Sequence, residues 1–500
     1  LLKEVLSKGD LPDHPVPRDE HYAAARAKAL SMLAPPYKVR PVHFADLRYY
    51  PWKWKPSAEA PYTTDPMYHK MLVTRYHAGE ISDTRKNFRN LKDIIFIKSR
   101  EELHNIKHRT KLIGEDLQYQ YYMTIHAKPV LTKATDPPKV RLIYGVPKLL
   151  IFAECMFFWP IIKYHKYAHR TITPLLWPYV TILGGWHRMN YDLCKKLYFQ
   201  TFLTVDWSGF DFHALFSVIT DLQLDWRTMF DFTNGYIPTQ DYPHTTTNPE
   251  ELENLWNWMI QSQLALPFTM PNGSKWIRLH RGIPSGLFTT QWLDSHYNLV
   301  MLLTILSRMG FDITNIWIKV QGDDSISAFK VFIPANQHDS FKLEFEHHAQ
   351  HYFDAVARPS KTEISNSPQG LEVLGYKNAN GLPTRSWHQL LAQLLYPKSR
   401  KPTYETLMAR AIGITYADCD QHPEVRRVCK DIYDYLYNLG YKPDPAGLSN
   451  VPFFIEEGEL EIDLSHFPTS LEITRYLRSF HQFSDENARR FWPPHFLSDH

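Results

Sequence analysis

Cysteine is nearly absent, with four in 500 residues, at positions 155, 194, 419 and 429. None forms a C-x-x-C pair and the spacings are long. That excludes a disulfide framework and a zinc ribbon, and it fits a reducing compartment. Glycine is scarce as well, 20 residues against 36 prolines, so the loops should be stiff rather than linker-like. Long apolar runs are missing. The longest, "LLIFAECMFFWPII" at 149–162, is too short to cross a bilayer and is interrupted by Glu154 and Pro160. No signal peptide, internal repeat or low-complexity tract stands out. An excess of one charge is lacking too: 56 Lys+Arg against 53 Asp+Glu leave a net charge of +3. So even a balance neither demands nor forbids a nucleic-acid partner, because a local basic groove need not show in the total.

What is present is apolar and aromatic bulk, 44% and 14% of the chain, enough for a sizeable core. The length suggests about three domains or one multi-lobed enzyme. To about residue 130 the mixture of charge, proline and aromatics ("YYPWKWKP", 49–56) reads as irregular structure with short helices. Residues 197–205 alternate with period two and predict a strand. Residues 212–224 carry apolar side chains at helical spacing. The polar stretch 225–275 reads as an insertion. A long buried helix is predicted over 290–306, an amphipathic one over 338–352, and a strand over "LEVLGY" (371–376). Pro423 and Gly440 bracket a further helix with one apolar face. Strands alternate with helices and a helical block follows, so the fold class is α+β.

The chemistry starts at "KVQGDDSISAF", 319–329, where Asp323 and Asp324 sit between two apolar, β-prone runs. A polar hairpin tip is the plain alternative, since glycine and aspartate both favour turns. The second stretch, "TVDWSGFDF" (204–212), ends a predicted strand on Asp206 and puts Asp211 at a helix start, where it could serve only as a cap. If the two strands are neighbours, Asp206 and Asp323 converge. Unpaired, such carboxylates repel and take up protons. A divalent cation removes the conflict, and magnesium accepts one or two carboxylates plus waters and phosphate oxygens. Two such ions about 4 Å apart support in-line nucleotidyl transfer. In "RGIPSGLFTTQWLDSHYN" (281–298), Ser285, Thr289 and Thr290 lie at a helix start, suited to a ribose or phosphate as well as to capping. In "KVRLIYGVPK" (139–148), Lys139, Arg141 and Lys148 alternate with apolar residues, as in a basic β-ribbon for a triphosphate or in a plain surface strand.

In order and spacing these stretches resemble the motifs of viral RNA-dependent RNA polymerases. "KVRLIYG" resembles motif F, "DWSGFD" motif A, "PSGLFTTQWLDSHYN" motif B and "QGDDS" motif C; "RPSKTEIS" (358–365) is similar to motif D and "LEVLGY" to motif E. Motif B and the length look most like the polymerases of partitiviruses, with picobirnaviruses as near neighbours. The resemblance implies a right-hand polymerase with an antiparallel palm sheet, in the encircled closed-hand form. Fingers would come from residues 1–200, with motif F at 133–148, and from the insertion 225–280. Residues 201–224 and 281–385 would make the palm, and 386–500 the thumb and tail.

The same resemblance implies roles. Asp206, Asp323 and Asp324 would be the catalytic, metal-holding acids, with two Mg²⁺ that Mn²⁺ can replace. Asp211, Ser285, Thr290 and Asn298 would sense the ribose, Arg141 and Lys139 the triphosphate, and Lys361 would protonate pyrophosphate. One position departs from the family pattern: Asp294 stands where many members have asparagine, and an acid donates a hydrogen bond only when protonated. Implied partners are an RNA template and product duplex, nucleoside triphosphates and a viral capsid protein, with no membrane, inside the virion in the host cytoplasm. The aromatic tail 478–496 offers a conceivable stacking platform for a first nucleotide. A reverse transcriptase is disfavoured by Asp211, where a bulky steric gate would stand. A non-catalytic RNA-packaging protein is disfavoured by the complete acidic set.

Overall fold

The computed structural model describes residues 2–108, 120–196, 198–397, 402–449, 451, 462–479 and 485–497. The N-terminal third is more regular than its composition suggests. Helix α1 (Glu20–Leu33) starts where Asp19 accepts the His21 and Tyr22 N–H groups, and buries Tyr22, Ala25, Ala29 and Leu33 along one stripe. Helix α2 (Phe88–His108) runs for 21 residues. Strands β1 (Met123–Val130) and β2 (Lys139–Gly145) pair antiparallel, which makes the predicted basic ribbon. The 149–162 run lies in helix α3 (Lys148–Tyr167), apolar around most of its circumference because it is enclosed.

Strand β3 (Thr201–Thr204) is shorter than its predicted span. The helix expected from 212 begins later, as α4 (Phe216–Arg227), because Ala214 and Leu215 are extended after a single helical turn, Phe210–His213. The polar insertion contains helix α5 (Pro249–Ala265), capped by Asn248, with Trp256, Trp258 and Met259 buried. Strands β4 (Phe268–Thr269) and β5 (Lys275–Trp276) complete a sheet of order β2-β1-β4-β5. Helix α6 (Thr290–Arg308) follows, then the hairpin β6 (Trp317–Gln321) and β7 (Asp324–Phe329), then α7 (His338–Phe353) and β8 (Glu363–Ser365).

The second sheet has the order β8-β3-β7-β6, with every pairing antiparallel. Both its faces are covered. Leu203, Ile318, Val320 and Ile364 belong to a core shared with α1–α7, whereas Phe202, Ile326 and Ala328 belong to a second core shared with the C-terminal helices. That double burial explains why these strands read as nearly unbroken apolar runs. Mixed helices and antiparallel sheets make the fold α+β.

Two expectations need correction. "LEVLGY" is a hairpin and not a strand: Leu374 and Gly375 turn at φ 55° and 76° between Glu372–Val373 and Tyr376–Ala379. The tail aromatics are not a free platform. Phe491, Trp492 and Phe496 are buried against α3, where Trp159 Nε1–H donates to the Phe491 carbonyl at 3.1 Å and its ring meets those of Trp492 and Phe496 at 5.3 and 5.4 Å. Phe480 and Phe483 lie outside the described residues. The C-terminal block includes helix α8 (Tyr404–Ala417) and helix α9 (Pro423–Asn438), the latter closed by Gly440 at φ 88° as expected. None of the four cysteines forms a disulfide. Among the described residues no helix is long and apolar enough to cross a membrane.

Candidate active site at the edge of the antiparallel sheet

The two acidic stretches meet through strand register. Leu203 faces Ser327 across β3 and β7, and the same register carried forward puts Asp206 level with Asp324. The β6–β7 turn is two residues long. Gly322 takes φ 59°, and Gln321 and Asp324 form the closing pair, so Asp323 occupies the exposed tip. Helix α6 braces the turn: Gly322 N–H donates to Ser295 Oγ at 2.9 Å, and Asn298 Nδ2 donates to the carbonyls of Gly322 and Asp324 at 3.0 and 3.3 Å. Trp207 Nε1–H donates to Asn298 Oδ1 at 2.9 Å. Asn298 is wholly buried and each polar group of its amide is engaged, so it joins the two acidic stretches instead of facing open space.

Asp211 arrives by a detour. Past Asp206 the chain pairs Trp207–Ser208 with Val356–Ala357, turns at Gly209 and enters the single helical turn. The Asp211 carbonyl accepts the Ile283 N–H at 3.0 Å, which ties this loop to the one leading into α6. Asp211 therefore does not cap α4, whose N-cap is Leu215.

The carboxylates feel one another. Burial, then the charges of Asp323, Asp206 and Glu372, push Asp324 up to about 7. Burial and Asp323 raise Asp211 to about 6, against the pull of Arg141. Although the residue is exposed at the tip, the protein packed around its carboxyl desolvates it, and this and Asp206 raise Asp323, again opposed by Arg141. Asp294 on α6 is raised well above the usual range by burial and by Asp211 and Asp323, and its Oδ1 has no hydrogen-bond partner. The shift favours the protonated form, the one in which an acid at that position can donate a hydrogen bond.

Cations border the cluster. Lys361 Nζ stands 3.6 Å from Asp206 Oδ2 and the Arg358 guanidinium 4.0 Å from Oδ1, while Arg358 N–H donates to the Asp206 carbonyl at 3.0 Å. These are loose ion pairs, and the Asp206 side chain remains 39% exposed. Arg141 reaches the acids from β2 and is exposed. Lys139 lies two residues further along the same face, opposite Val130. Ser285 is exposed but leans on β2: its Oγ donates to Leu142 O at 3.5 Å and accepts from Tyr144 N–H at 3.4 Å. Thr290 Oγ1 donates to Pro284 O at 2.7 Å, closing its own loop.

Among the described residues no three His, Cys, Asp or Glu side chains are grouped so as to enclose a metal by themselves. The donor set fits a different kind of site. Mutually repelling, partly exposed carboxylates suit hard divalent ions that keep water and substrate phosphate as their other ligands. Sequence reasoning missed Glu154, the charge inside the apolar run, which is wholly buried beneath the start of α6. Its isolation among apolar residues was the available signal.

Comparison with known proteins agrees with this geometry. A family model described as viral RNA-dependent RNA polymerase matches residues 48–411. The RNA-directed RNA polymerase of White clover cryptic virus 1 (isolate Boccardo/2004) is 38% identical over 533 residues, covering 99% of this chain and 86% of that protein. That of Atkinsonella hypoxylon virus (isolate 2H) is 27% identical over 501 residues, covering 90% and 73%. Both viruses are of the partitivirus type with double-stranded RNA, as the motifs suggested. A right-hand architecture and the use of divalent metal ions are general in this group, and neither a reverse transcriptase nor a packaging protein is favoured. The chain belongs to the viral RNA-dependent RNA polymerases, and its activity is RNA-directed RNA synthesis.

Proposed function

We propose that this polymerase transcribes and replicates a viral double-stranded RNA genome with Asp206 and Asp323 as the principal metal ligands and Asp324 as an auxiliary one. The bound ions, Mg²⁺ with Mn²⁺ as substitute, would activate the primer 3′-hydroxyl and steady the leaving pyrophosphate. The observation that carries this reading is the meeting of Asp206, Asp323 and Asp324 at one sheet edge, with two of the three carboxyls raised by burial and by one another's charge. Asp211 faces the ribose 2′-hydroxyl, helped by Ser285 and Thr290, and Asn298 contributes by bracing the hairpin. Arg141 and Lys139 meet the triphosphate. Lys361 is the better proton donor to pyrophosphate than Arg358, because a guanidinium does not give up its proton.

Residues 1–200 and 225–280 serve as fingers, 201–224 and 281–385 as palm, and 386–500 as thumb and tail, although 485–497 pack back on α3. A closed hand is supported by the contact of Ser285 with β2 and by Arg281 Nε–H, which donates to the Pro12 carbonyl at 2.7 Å. A capsid protein as partner and the virion in the host cytoplasm as location complete the proposal. The test is Asp323→Asn with an RNA primer-template and Mg²⁺. Synthesis should fall by at least about 10³-fold with no loss of thermal stability, a loss of some 4 kcal/mol in transition-state stabilisation. Near-normal synthesis would refute the metal role. Asp211→Asn should relax ribose discrimination, read by deoxynucleotide competition.

A further inference from the structure

Glu154 is a carboxylate with no exposed surface, set in helix α3 among apolar side chains. It accepts hydrogen bonds from Phe288 N–H at 3.3 Å, Thr289 N–H at 3.1 Å, Gln263 Nε2–H at 3.2 Å and the Thr289 hydroxyl. Gln263 lies on α5, and its Oε1 accepts from Gln223 of α4 at 2.9 Å. One side chain therefore links α3, α5 and the first turn of α6. Thr289, the N-cap residue of α6, makes no cap with its own side chain; its hydroxyl and its N–H both go to Glu154 instead. Burial drives Glu154 up to about 7, and these four bonds oppose the rise.

A buried charge is a poor way to gain stability, since an apolar residue of similar volume serves as well or better. It is a good way to fix a backbone. The backbone fixed here is the loop 284–289. From its other side the loop presses on β2: Ser285 contacts Leu142 and Tyr144, and a Cβ on Gly286 would lie 1.9 Å from the Tyr144 carbonyl. The loop is clamped between Glu154 beneath and β2 above. Ile283, one residue ahead of it, holds the Asp211 carbonyl.

The geometry points to Glu154 as a positioning residue for sugar selection: by pinning Phe288 and Thr289 it sets Ser285 and Thr290 at the level of Asp211. This rests on the reading of Asp211, Ser285 and Thr290 as the ribose-facing set. Glu154 itself touches no substrate. Its removal should alter which nucleotide is accepted more than how fast bonds form.

The experiment compares Glu154→Gln, Thr289→Val and Thr289→Ser in the full chain, each checked by circular dichroism and thermal unfolding. Glu154→Gln turns one acceptor oxygen into an amide NH₂ facing donors. Thr289→Val removes one hydroxyl bond, and Thr289→Ser keeps it. Steady-state incorporation of one ribonucleotide and its deoxy counterpart on the same primer-template gives kcat and KM for each. The expected result is a loss of ribo-over-deoxy preference of about tenfold for Glu154→Gln. Most of it should lie in a raised ribonucleotide KM, with a smaller shift for Thr289→Val and none for Thr289→Ser. Thr289→Val serves alone if Glu154→Gln does not fold. Folded variants with wild-type preference overturn the proposal, as does an equal fall in kcat for both sugars, which marks a structural role alone. Asp211→Asn separates the two failures: relaxed preference there, with none in the α6 variants, sinks only the role of Glu154, whereas unchanged preference sinks the ribose reading beneath it.

Discussion

Replacing Asp324 with asparagine should stabilise the metal-free protein while impairing catalysis. Asp324 has a folded-state pKa of about 7 against 3.8 for the unconstrained group. The sign follows from proton uptake. Below both values the side chain is neutral in either state and costs nothing. Between them the folded state binds a proton that the unfolded state has released, so stability falls as pH rises; above about 7 the whole penalty is present. Three units at 1.36 kcal/mol each set a ceiling of about 4 kcal/mol. Asparagine does not titrate. Its advantage over wild type should therefore grow by about 2 kcal/mol between pH 5.5 and pH 8, a few degrees in thermal midpoint. The assay is differential scanning calorimetry in EDTA at both pH values, repeated with millimolar Mg²⁺. The ion should stabilise wild type by mass action and close the gap at pH 8. A stability difference that ignores pH, or a wild type more stable than the variant at pH 8 in EDTA, would refute the claim that crowding and burial strain this carboxylate.

Gly286→Ala should cost at least about tenfold in synthesis, because the added methyl meets the Tyr144 carbonyl at 1.9 Å and must push the Ser285 loop off β2; single-nucleotide incorporation reads it. Trp159→Ala should destabilise by about 3–5 kcal/mol, measured by urea unfolding, and should speed proteolysis of the C-terminal segment that this ring holds. RNA binding should weaken steeply with salt, as phosphate contacts release counterions; Lys128, Lys139, Arg141 and Lys275 share one face of the first sheet, and a flat salt response would count against a basic track there.

The site was legible where chemistry and backbone punctuation coincide. Gly322 before two acids marks both a turn and a charge cluster, and the turn is there. Pro423 and Gly440 framed their helix for the same local reasons. Reading failed where long-range packing decides. Residues 225–275 look polar on average, yet Asn248 and Pro249 were a sound helix start, and Trp256 and Trp258 needed only a neighbour to bury against. Leu374 at φ 55° is a conformation no composition announces in a leucine. The raised affinity of Asp294 for its proton and the grip of Glu154 depend on burial, which one chain of letters does not display.

The docking of the chain's last described stretch has a mechanical side. Leu497 N–H donates to the Pro238 carbonyl and Gln240 N–H to that of His495, at 2.9 and 2.8 Å, so residues 485–497 are stitched to the lobe that carries α3 and α5. Without them the Trp159 ring would lose two aromatic neighbours and its Nε1–H the Phe491 carbonyl, so this stretch acts as one wall of a core laid down 332 residues earlier in the chain.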